Sequence, residues 1–131
     1  MTSETTDSPP ARILPSGTVT FLFTDIEGST ALLQRLGDEY ATVLADHHRL
    51  LRHAFAERGG VEVDAAGDGL YFAFPSARSA VTAGIEAQRA VAGHEWTSGT
   101  APAVRMGMHT GEARSGEDGY VGIDVHRAAR I

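Results

Sequence analysis

The residue best placed to do chemistry in this sequence is Asp25. It follows a run of β-branched and aromatic residues that begins at Val19 and predicts a mostly buried strand. A sharp glycine turn comes next, and Ser29 or Thr30 is expected to cap a helix that starts immediately afterwards. A carboxylate at a strand end, beside free N–H groups at a helix start, suits a cation that neutralises a phosphate. An aspartate that only caps or turns the chain explains the same pattern, so a second acid must decide.

That second acid is Asp68, which lies between two glycines. Asp-Gly flanked by strand-forming residues is a strong hairpin signal, so residues 61–74 are expected to form two short strands around this turn. If the hairpin lies beside the first strand, Asp25 and Asp68 converge. Two carboxylates and a backbone carbonyl, such as that of Ile26, are ligands that Mg²⁺ takes when substrate phosphates complete its shell. Taken alone, Asp68 is better explained as a turn residue.

The composition sets the limits of the function. The chain has 131 residues, 42% hydrophobic and 21% charged, as expected for one soluble globular domain. It contains no cysteine, which excludes disulfides, thiolate metal sites and cysteine nucleophiles. The formal net charge of -6 argues against broad nucleic-acid binding. No apolar run approaches the ~20 residues of a membrane helix, and no signal peptide is recognised, so we expect a cytoplasmic protein without a membrane partner.

Hydrophobic periodicity predicts the elements that must position the two acids. Residues 1–17 are polar and proline-rich and are expected to be a flexible tail before a domain spanning residues 18–131. Within that domain the predicted order begins with a strand over 18–25, a short helix from Thr30, a long helix from Gly37-Asp38 to Gly59-Gly60 and the hairpin over 61–74. A helix capped by Ser76, a strand over 104–111 and a helix over 121–131 follow, and residues 112–115 either extend the strand or begin a further one. This order indicates an α+β fold, a ferredoxin-like palm with an antiparallel sheet and helices on one face.

Three histidines lie on the long predicted helix. His47 falls on its apolar face, whereas His48 and His53 do not obviously join that face. No reliable metal-binding histidine cluster is recognised, so each is expected to be a packed or an exposed side chain.

Four segments in this order resemble motifs of the catalytic domain of class III nucleotidyl cyclases. They are Phe23-Thr-Asp-Ile-Glu-Gly-Ser-Thr30, Gly67-Asp-Gly69, Arg105-Met-Gly-Met-His-Thr-Gly111 and Val125-His-Arg-Ala-Ala-Arg130. The similarity covers about residues 17–131. In that family two Mg²⁺ or Mn²⁺ ions assist attack of a ribose 3′-hydroxyl on the α-phosphate of a nucleoside triphosphate. The products are a 3′,5′-cyclic monophosphate and pyrophosphate.

The resemblance implies a role for each matched residue. Asp25 and Asp68, with the carbonyl of Ile26, would hold the two metal ions. Arg130 matches the arginine that stabilises the transition state. Phosphate binding falls to Arg105 and to consecutive backbone N–H groups, those of Ile26, Glu27, Gly28, Ser29 and Thr30. Because sites of this family form at head-to-tail dimer interfaces, the resemblance also implies a homodimer in which the metals and Arg130 come from opposite subunits.

The sequence departs from the family pattern at the purine-reading positions. Asp64 stands where adenylate cyclases of the family carry a lysine, and Gly119 stands at the partner aspartate position. An ionised Asp64 cannot donate a hydrogen bond to adenine N1, but it can accept one from the N1–H or the amino group of guanine. This favours GTP or poor discrimination between the nucleotides. A solvated Asp64 in a degenerate pocket is the alternative.

Two further departures concern catalysis. His126 occupies the position of the transition-state asparagine. It can donate a hydrogen bond and, when protonated, can stabilise an anionic transition state; a surface histidine without that task is the alternative. The matched region also lacks the C-terminal strands that supply a further phosphate-binding lysine, so the cyclase domain is expected to be incomplete at its C-terminus.

The sequence therefore predicts a weakly active class III cyclase that converts ATP or GTP to a cyclic nucleotide for signalling. The alternative is a pseudo-cyclase, a dimerising nucleotide-binding module that regulates a partner without turnover. The two aspartates favour the enzyme, whereas Asp64, Gly119 and the missing strands favour the alternative. A different palm enzyme, such as a diguanylate cyclase or a polymerase fragment, is disfavoured because no Gly-Gly-Asp/Glu-Glu-Phe hairpin is present.

Overall fold

The structure, a computed structural model, describes residues 14–116 and 119–121, which form five strands and three helices. In chain order they are β1 (Gly17–Ile26), α1 (Ser29–Leu36), α2 (Glu39–Ala56), β2 (Val61–Ala66), β3 (Gly69–Phe74), α3 (Ala77–Gly93), β4 (Val104–Gly116) and β5 (Gly119–Val121). The predicted order is confirmed through β4. The tail predicted for residues 1–17 lies almost entirely outside the described residues.

The strands form one antiparallel sheet in the order β2-β3-β1-β4-β5. β1 therefore lies between β3 and β4. Thr24 of β1 pairs with Leu70 of β3, and Asp25 pairs with Arg105 of β4. Because neighbouring strands run in opposite directions, the end of β1 meets the starts of β3 and β4 at one edge of the sheet. Both predicted metal-binding aspartates lie at this edge.

The two faces of the sheet carry separate hydrophobic clusters. On one face, side chains of β1 and β3 pack against α2 and α3; its largest buried members are Leu22, Leu51, Phe55, Leu70, Phe72 and Phe74. The other face carries a smaller cluster built from strand residues: Val19, Phe21, Tyr71, Ala73 and Ala113. The helices thus cover one face of the sheet, which confirms the predicted ferredoxin-like palm.

The start of α1 differs from the prediction. Neither Ser29 nor Thr30 caps this helix; Gly28 is its N-cap residue, and no side chain accepts a capping hydrogen bond. Gly28 has φ 63° and ψ 35°, the left-handed conformation, which glycine adopts without steric cost. Only two residues, Glu27 and Gly28, connect β1 to α1, and Ser29 is already helical. The cap predicted at Ser76 is confirmed, since its hydroxyl accepts the N–H of Ser79 at 3.1 Å.

The helix predicted over residues 121–131 does not begin at Val121. This residue ends β5, because residues 119–121 pair with residues 114–116 of β4. The remainder of that predicted helix, residues 122–131, lies outside the described residues. In the described part of the chain, no helix combines the length and apolar character needed to cross a membrane.

Candidate active site

Asp25 and Arg105 form a bidentate ion pair across β1 and β4. Arg105 Nε donates to Asp25 Oδ1, and Arg105 Nη2 donates to Asp25 Oδ2, both at 2.8 Å. The hydrogen bonds to Asp25, and then the negative charge of the same carboxylate, raise the pKa of Arg105; the charges of Glu27 and Asp68 act in the same direction. Three carboxylates therefore act on one guanidinium, and both oxygens of Asp25 accept hydrogen bonds from it.

The hairpin between β2 and β3 brings Asp68 to the end of β1. Its carboxylate oxygen Oδ2 accepts the backbone N–H of Ile26 at 3.3 Å. Gly67, with φ 60°, supplies the positive φ that a two-residue hairpin turn of this kind requires. Asp68 is thus hydrogen-bonded to Ile26, the residue that follows Asp25, so the hairpin turn lies next to the end of β1.

The hairpin approaches β1 closely because Gly69 has no side chain. A Cβ atom at this position would lie 2.9 Å from the carbonyl oxygen of Thr24, a separation that real Cβ atoms essentially never show. The backbone N–H of Leu70 donates to Thr24 Oγ1 at 3.3 Å. The two glycines of the Gly-Asp-Gly motif therefore have different roles: Gly67 adopts the positive φ of the turn, and Gly69 permits the close contact with β1.

α2 supplies a second support for Asp68, which the sequence did not reveal. His48 Nε2 lies 3.3 Å from the backbone oxygen of Asp68, close enough for the Nε2–H tautomer to donate a hydrogen bond. Burial, and then the negative charge of Asp68, raise the pKa of Tyr40. Tyr40 and His48 are eight residues apart and therefore lie on one face of the helix. This spacing was the available signal, but nothing in the sequence alone points that face at the hairpin.

The predicted phosphate-binding amides fall into two groups. The N–H of Ile26 donates to Asp68, and the N–H of Glu27 donates to the carbonyl of Ala103 at 2.8 Å. Gly28, Ser29 and Thr30 instead begin α1, and N–H groups in a first helical turn have no acceptor within their own helix. A cleft of about 350 Å³ opens beside this turn, and Arg35 is among the residues that line it. A phosphate would thus meet the start of α1 rather than the amides of Ile26 and Glu27.

Asp64, the predicted purine-reading residue, lies on β2 opposite Tyr71, just after an irregularity in strand pairing. Its side chain is exposed, and Oδ1 accepts the N–H of Ala65 at 2.8 Å. Phe23, Asp64 and Tyr71 line a hollow of only about 50 Å³. Burial raises the pKa of Tyr71 to about 12, so its hydroxyl stays protonated. Gly119 begins β5 opposite Gly116.

The donor set fits a hard divalent cation that arrives with a phosphate. Two carboxylates and the backbone of Ile26 are oxygen ligands of the type that Mg²⁺ and Mn²⁺ prefer. Within residues 14–116 and 119–121, no three histidine, aspartate or glutamate side chains gather into a metal cage. Mg²⁺ is commonly held by one or two carboxylates while phosphates and water complete its shell, so these residues suit it as a metal–phosphate complex.

Comparison with known proteins identifies the family. Residues 12–125 match the model of the adenylate and guanylate cyclase catalytic domain. The chain belongs to this family. The matched residues include Asp25, Asp68 and Arg105, and also Asp64 and Gly119.

Three proteins are similar to this chain in sequence or in fold. An uncharacterized protein of Mycobacterium tuberculosis is 34% identical over 123 residues, 92% of this chain and 41% of the relative, so the chain spans about two fifths of that protein. A Trypanosoma brucei adenylate cyclase, solved in its monomeric state, has a TM-score of 0.78 and 30% identity, covering 95% of this chain and 71% of that one. The guanylate cyclase domain of RhGC from Catenaria anguillulae, solved with GTP, has a TM-score of 0.77, with 88% and 71% coverage; at 19% identity this likeness concerns the fold alone.

Two predicted catalytic residues of this cyclase domain lie outside the described part of the chain. They are His126 and Arg130. Their roles stay predictions, and the described part of the candidate site consists of Asp25, Asp68 and Arg105, the start of α1 and the position of Asp64.

Proposed function

We propose that this cyclase domain converts ATP or GTP to a 3′,5′-cyclic nucleotide and pyrophosphate at a site where Asp25 and Asp68 hold two divalent ions. One observation carries the proposal: the carboxylate of Asp68 is hydrogen-bonded to Ile26, the residue next to Asp25. Bound Mg²⁺ or Mn²⁺ would supply a nucleophile-activating and charge-stabilising centre at the phosphates.

The chain's own residues have distinct tasks in this proposal. Asp25 and Asp68, with the carbonyl of Ile26, bind the metal ions. The N–H groups at the start of α1 point at the phosphates, where the helix dipole favours negative charge. Arg105 binds the β- or γ-phosphate through its planar fork. Arg130 stabilises the negative charge that develops in the transition state, and His126 donates a hydrogen bond there.

The base of the nucleotide is read least well. Asp64 can accept hydrogen bonds from guanine but cannot donate one to adenine N1 while ionised. Its exposed carboxylate accepts a hydrogen bond from its neighbour Ala65, and Gly119 offers no side chain to complete a reading pair. We therefore expect either a preference for GTP or weak discrimination. Small misplacement of reacting groups can cost about 100-fold in rate, so turnover is expected to be slow.

The active species is proposed to be a homodimer in which the metal site of one subunit meets Arg130 of the other. A chain carrying Asp25→Ala and a chain carrying Arg130→Ala, each inactive alone, should restore activity when mixed, because one of the two sites is then intact. Heterodimers must be shown to form, for example by pulling down one tagged chain with the other. Heterodimers without any activity would contradict a shared site.

Product analysis tests the proposed reaction. The purified chain is incubated with ATP or GTP and Mn²⁺, and cyclic nucleotide and pyrophosphate are quantified by chromatography. We expect both products in equal amounts, at well below the ~1 to 1000 turnovers per second of typical enzymes, and none from Asp25→Ala. Turnover of ATP at several per second would show that the departures at Asp64 and Gly119 matter little.

The second candidate is a pseudo-cyclase that binds nucleotide and regulates a partner without turnover. The departures at Asp64 and Gly119 favour it, because they remove the purine-reading pair but leave both metal carboxylates. Metal-dependent nucleotide binding without any product would establish this alternative. A cytoplasmic location, predicted from the sequence, stays a prediction in either case.

A further inference from the structure

Asp25 and Arg105, which the proposed function assigns to different ligands, are hydrogen-bonded to each other. Asp25 is assigned to the metal ions and Arg105 to the phosphates, yet Arg105 Nε and Nη2 donate to the two oxygens of Asp25 at 2.8 Å. The register of β1 and β4 makes this pair direct neighbours. The arginine side chain is 61% exposed, so it is free to reorient about its long stem while its backbone stays in the sheet.

This pairing affects free metal ions and metal–phosphate complexes in opposite ways. A guanidinium at Asp25 repels a divalent cation and occupies both carboxylate oxygens, so it disfavours a metal ion that comes alone. A triphosphate brings several negative charges and binds the guanidinium in a bidentate manner. When Arg105 turns to the phosphate, Asp25 gives its oxygens to the metal.

The surrounding charges strengthen the argument. Glu27 and Asp68 also act on the guanidinium of Arg105. A cation at Asp25 and Asp68 would weaken this attraction and release the arginine towards an anion. The metal ion thus frees Arg105 for the phosphates, and the phosphates free Asp25 for the metal ion. Binding of the two ligands is therefore positively cooperative.

We propose that Arg105 is exchanged between Asp25 and the phosphates, so that the site selects a metal–triphosphate complex over the free metal ion. The proposal rests on the proposed function, since it assumes that Asp25 binds metal in the complex. It makes Arg105 a selectivity residue in addition to a phosphate ligand. Its signature is that loss of the arginine changes two affinities in opposite directions.

The experiment compares wild type with Arg105→Gln in two calorimetric titrations. One uses Mn²⁺ alone, and the other uses the preformed complex of Mn²⁺ with inorganic tripolyphosphate, which avoids any dependence on the purine. We expect Arg105→Gln to bind Mn²⁺ alone about two- to fivefold more tightly, as removal of an exposed ion pair allows. It should bind the complex about tenfold or more weakly, since a hydrogen-bonded charge partner is lost. Neither readout requires turnover.

Two further variants control the result. Arg105→Lys keeps the positive charge but loses the fork, so its affinity for Mn²⁺ alone should stay within about twofold of wild type and its affinity for the complex should be intermediate. Arg58→Gln breaks a bidentate pair of the same kind with Glu86, beside the opposite end of the hairpin, and should change neither affinity. Unfolding transitions of all variants show whether they are folded.

The outcomes separate this inference from the proposed function. Opposite shifts in Arg105→Gln support the exchange. If wild type binds the complex but the two affinities of Arg105→Gln do not shift in opposite directions, the exchange is overturned. The proposed metal site is not affected by that result. A folded wild-type chain that binds neither Mn²⁺ nor the complex overturns both.

Discussion

Replacing His47 with leucine should make the domain more resistant to acid. His47 lies on α2, fully buried, and within the described residues neither of its ring nitrogens has a hydrogen-bond partner. Burial is the main cause that lowers the pKa of His47 to about 4; His48 and Arg52 act in the same direction, and Asp68 opposes them. The folded state therefore keeps this side chain neutral where an exposed histidine would take up a proton.

The sign and size of the effect follow from the two pKa values. The ordinary value is 6.5 and the folded value is about 4, so between these pH values the unfolded chain binds the extra proton. The free energy of unfolding thus keeps its full value above pH 6.5 and falls as the pH decreases towards 4. At pH 5 this proton uptake lowers the free energy of unfolding by about 2 kcal/mol relative to pH 7.5. Total stabilities of domains are about 5 to 15 kcal/mol, so the loss is substantial.

Urea unfolding at pH 7.5 and pH 5 measures this contribution. From pH 7.5 to pH 5, the free energy of unfolding should fall by about 2 kcal/mol more in the wild-type chain than in His47→Leu. At pH 7.5 the variant should be no less stable than wild type, because leucine has a similar volume and leaves no polar atom unpaired. His53→Gln, which changes an exposed histidine of the same helix, is the matched control and should follow wild type. A His47→Leu chain that loses as much stability in acid as wild type would refute the reasoning.

Two further predictions concern the hairpin and the purine. Gly69→Ala should lower the free energy of unfolding by more than about 1 kcal/mol, because the new Cβ would lie 2.9 Å from the carbonyl oxygen of Thr24. Gly93→Ala is the control, because a Cβ there meets open space and should not lower the free energy of unfolding in this way. Equal urea midpoints for both variants would contradict the packing argument. The double substitution Asp64→Lys with Gly119→Asp should raise the affinity for ATP relative to that for GTP in competition binding, since a donor then faces adenine N1. An unchanged ratio of the two affinities would mean that these positions do not contact the base.

Much of the fold could be predicted because its signals are local. The alternation from Val19 to Thr24 marks β1, and Asp-Gly at Asp68 marks the hairpin. The predicted cap of α1 was wrong because serine and threonine are strong caps by propensity, whereas the N-cap residue is Gly28 in the left-handed conformation. β5 was missed because its three residues are too few to show a period; pairing with β4 creates it.

The candidate site could be predicted only as a set of residue types. Asp25 and Asp68 were expected to converge, and the sheet order brings them to one edge. That Asp25 pairs with Arg105 depends on the register of β1 with β4, which is set by long-range packing and not by any local pattern. The contact of His48 with Asp68 likewise depends on how α2 lies against the hairpin.

Metal-dependent nucleotide binding is the most direct test of the claim that Asp25 and Asp68 form one metal site. Wild type, Asp25→Ala and Asp68→Ala are titrated with ATP and with GTP in the presence and absence of Mn²⁺. Asp38→Ala, which changes an exposed aspartate whose side chain caps no helix N–H, is the control. We expect each site variant to lose about tenfold or more of the Mn²⁺-dependent affinity while Asp38→Ala retains it. Unchanged Mn²⁺-dependent affinity in both site variants would contradict the metal site and, with it, the proposed cyclase mechanism.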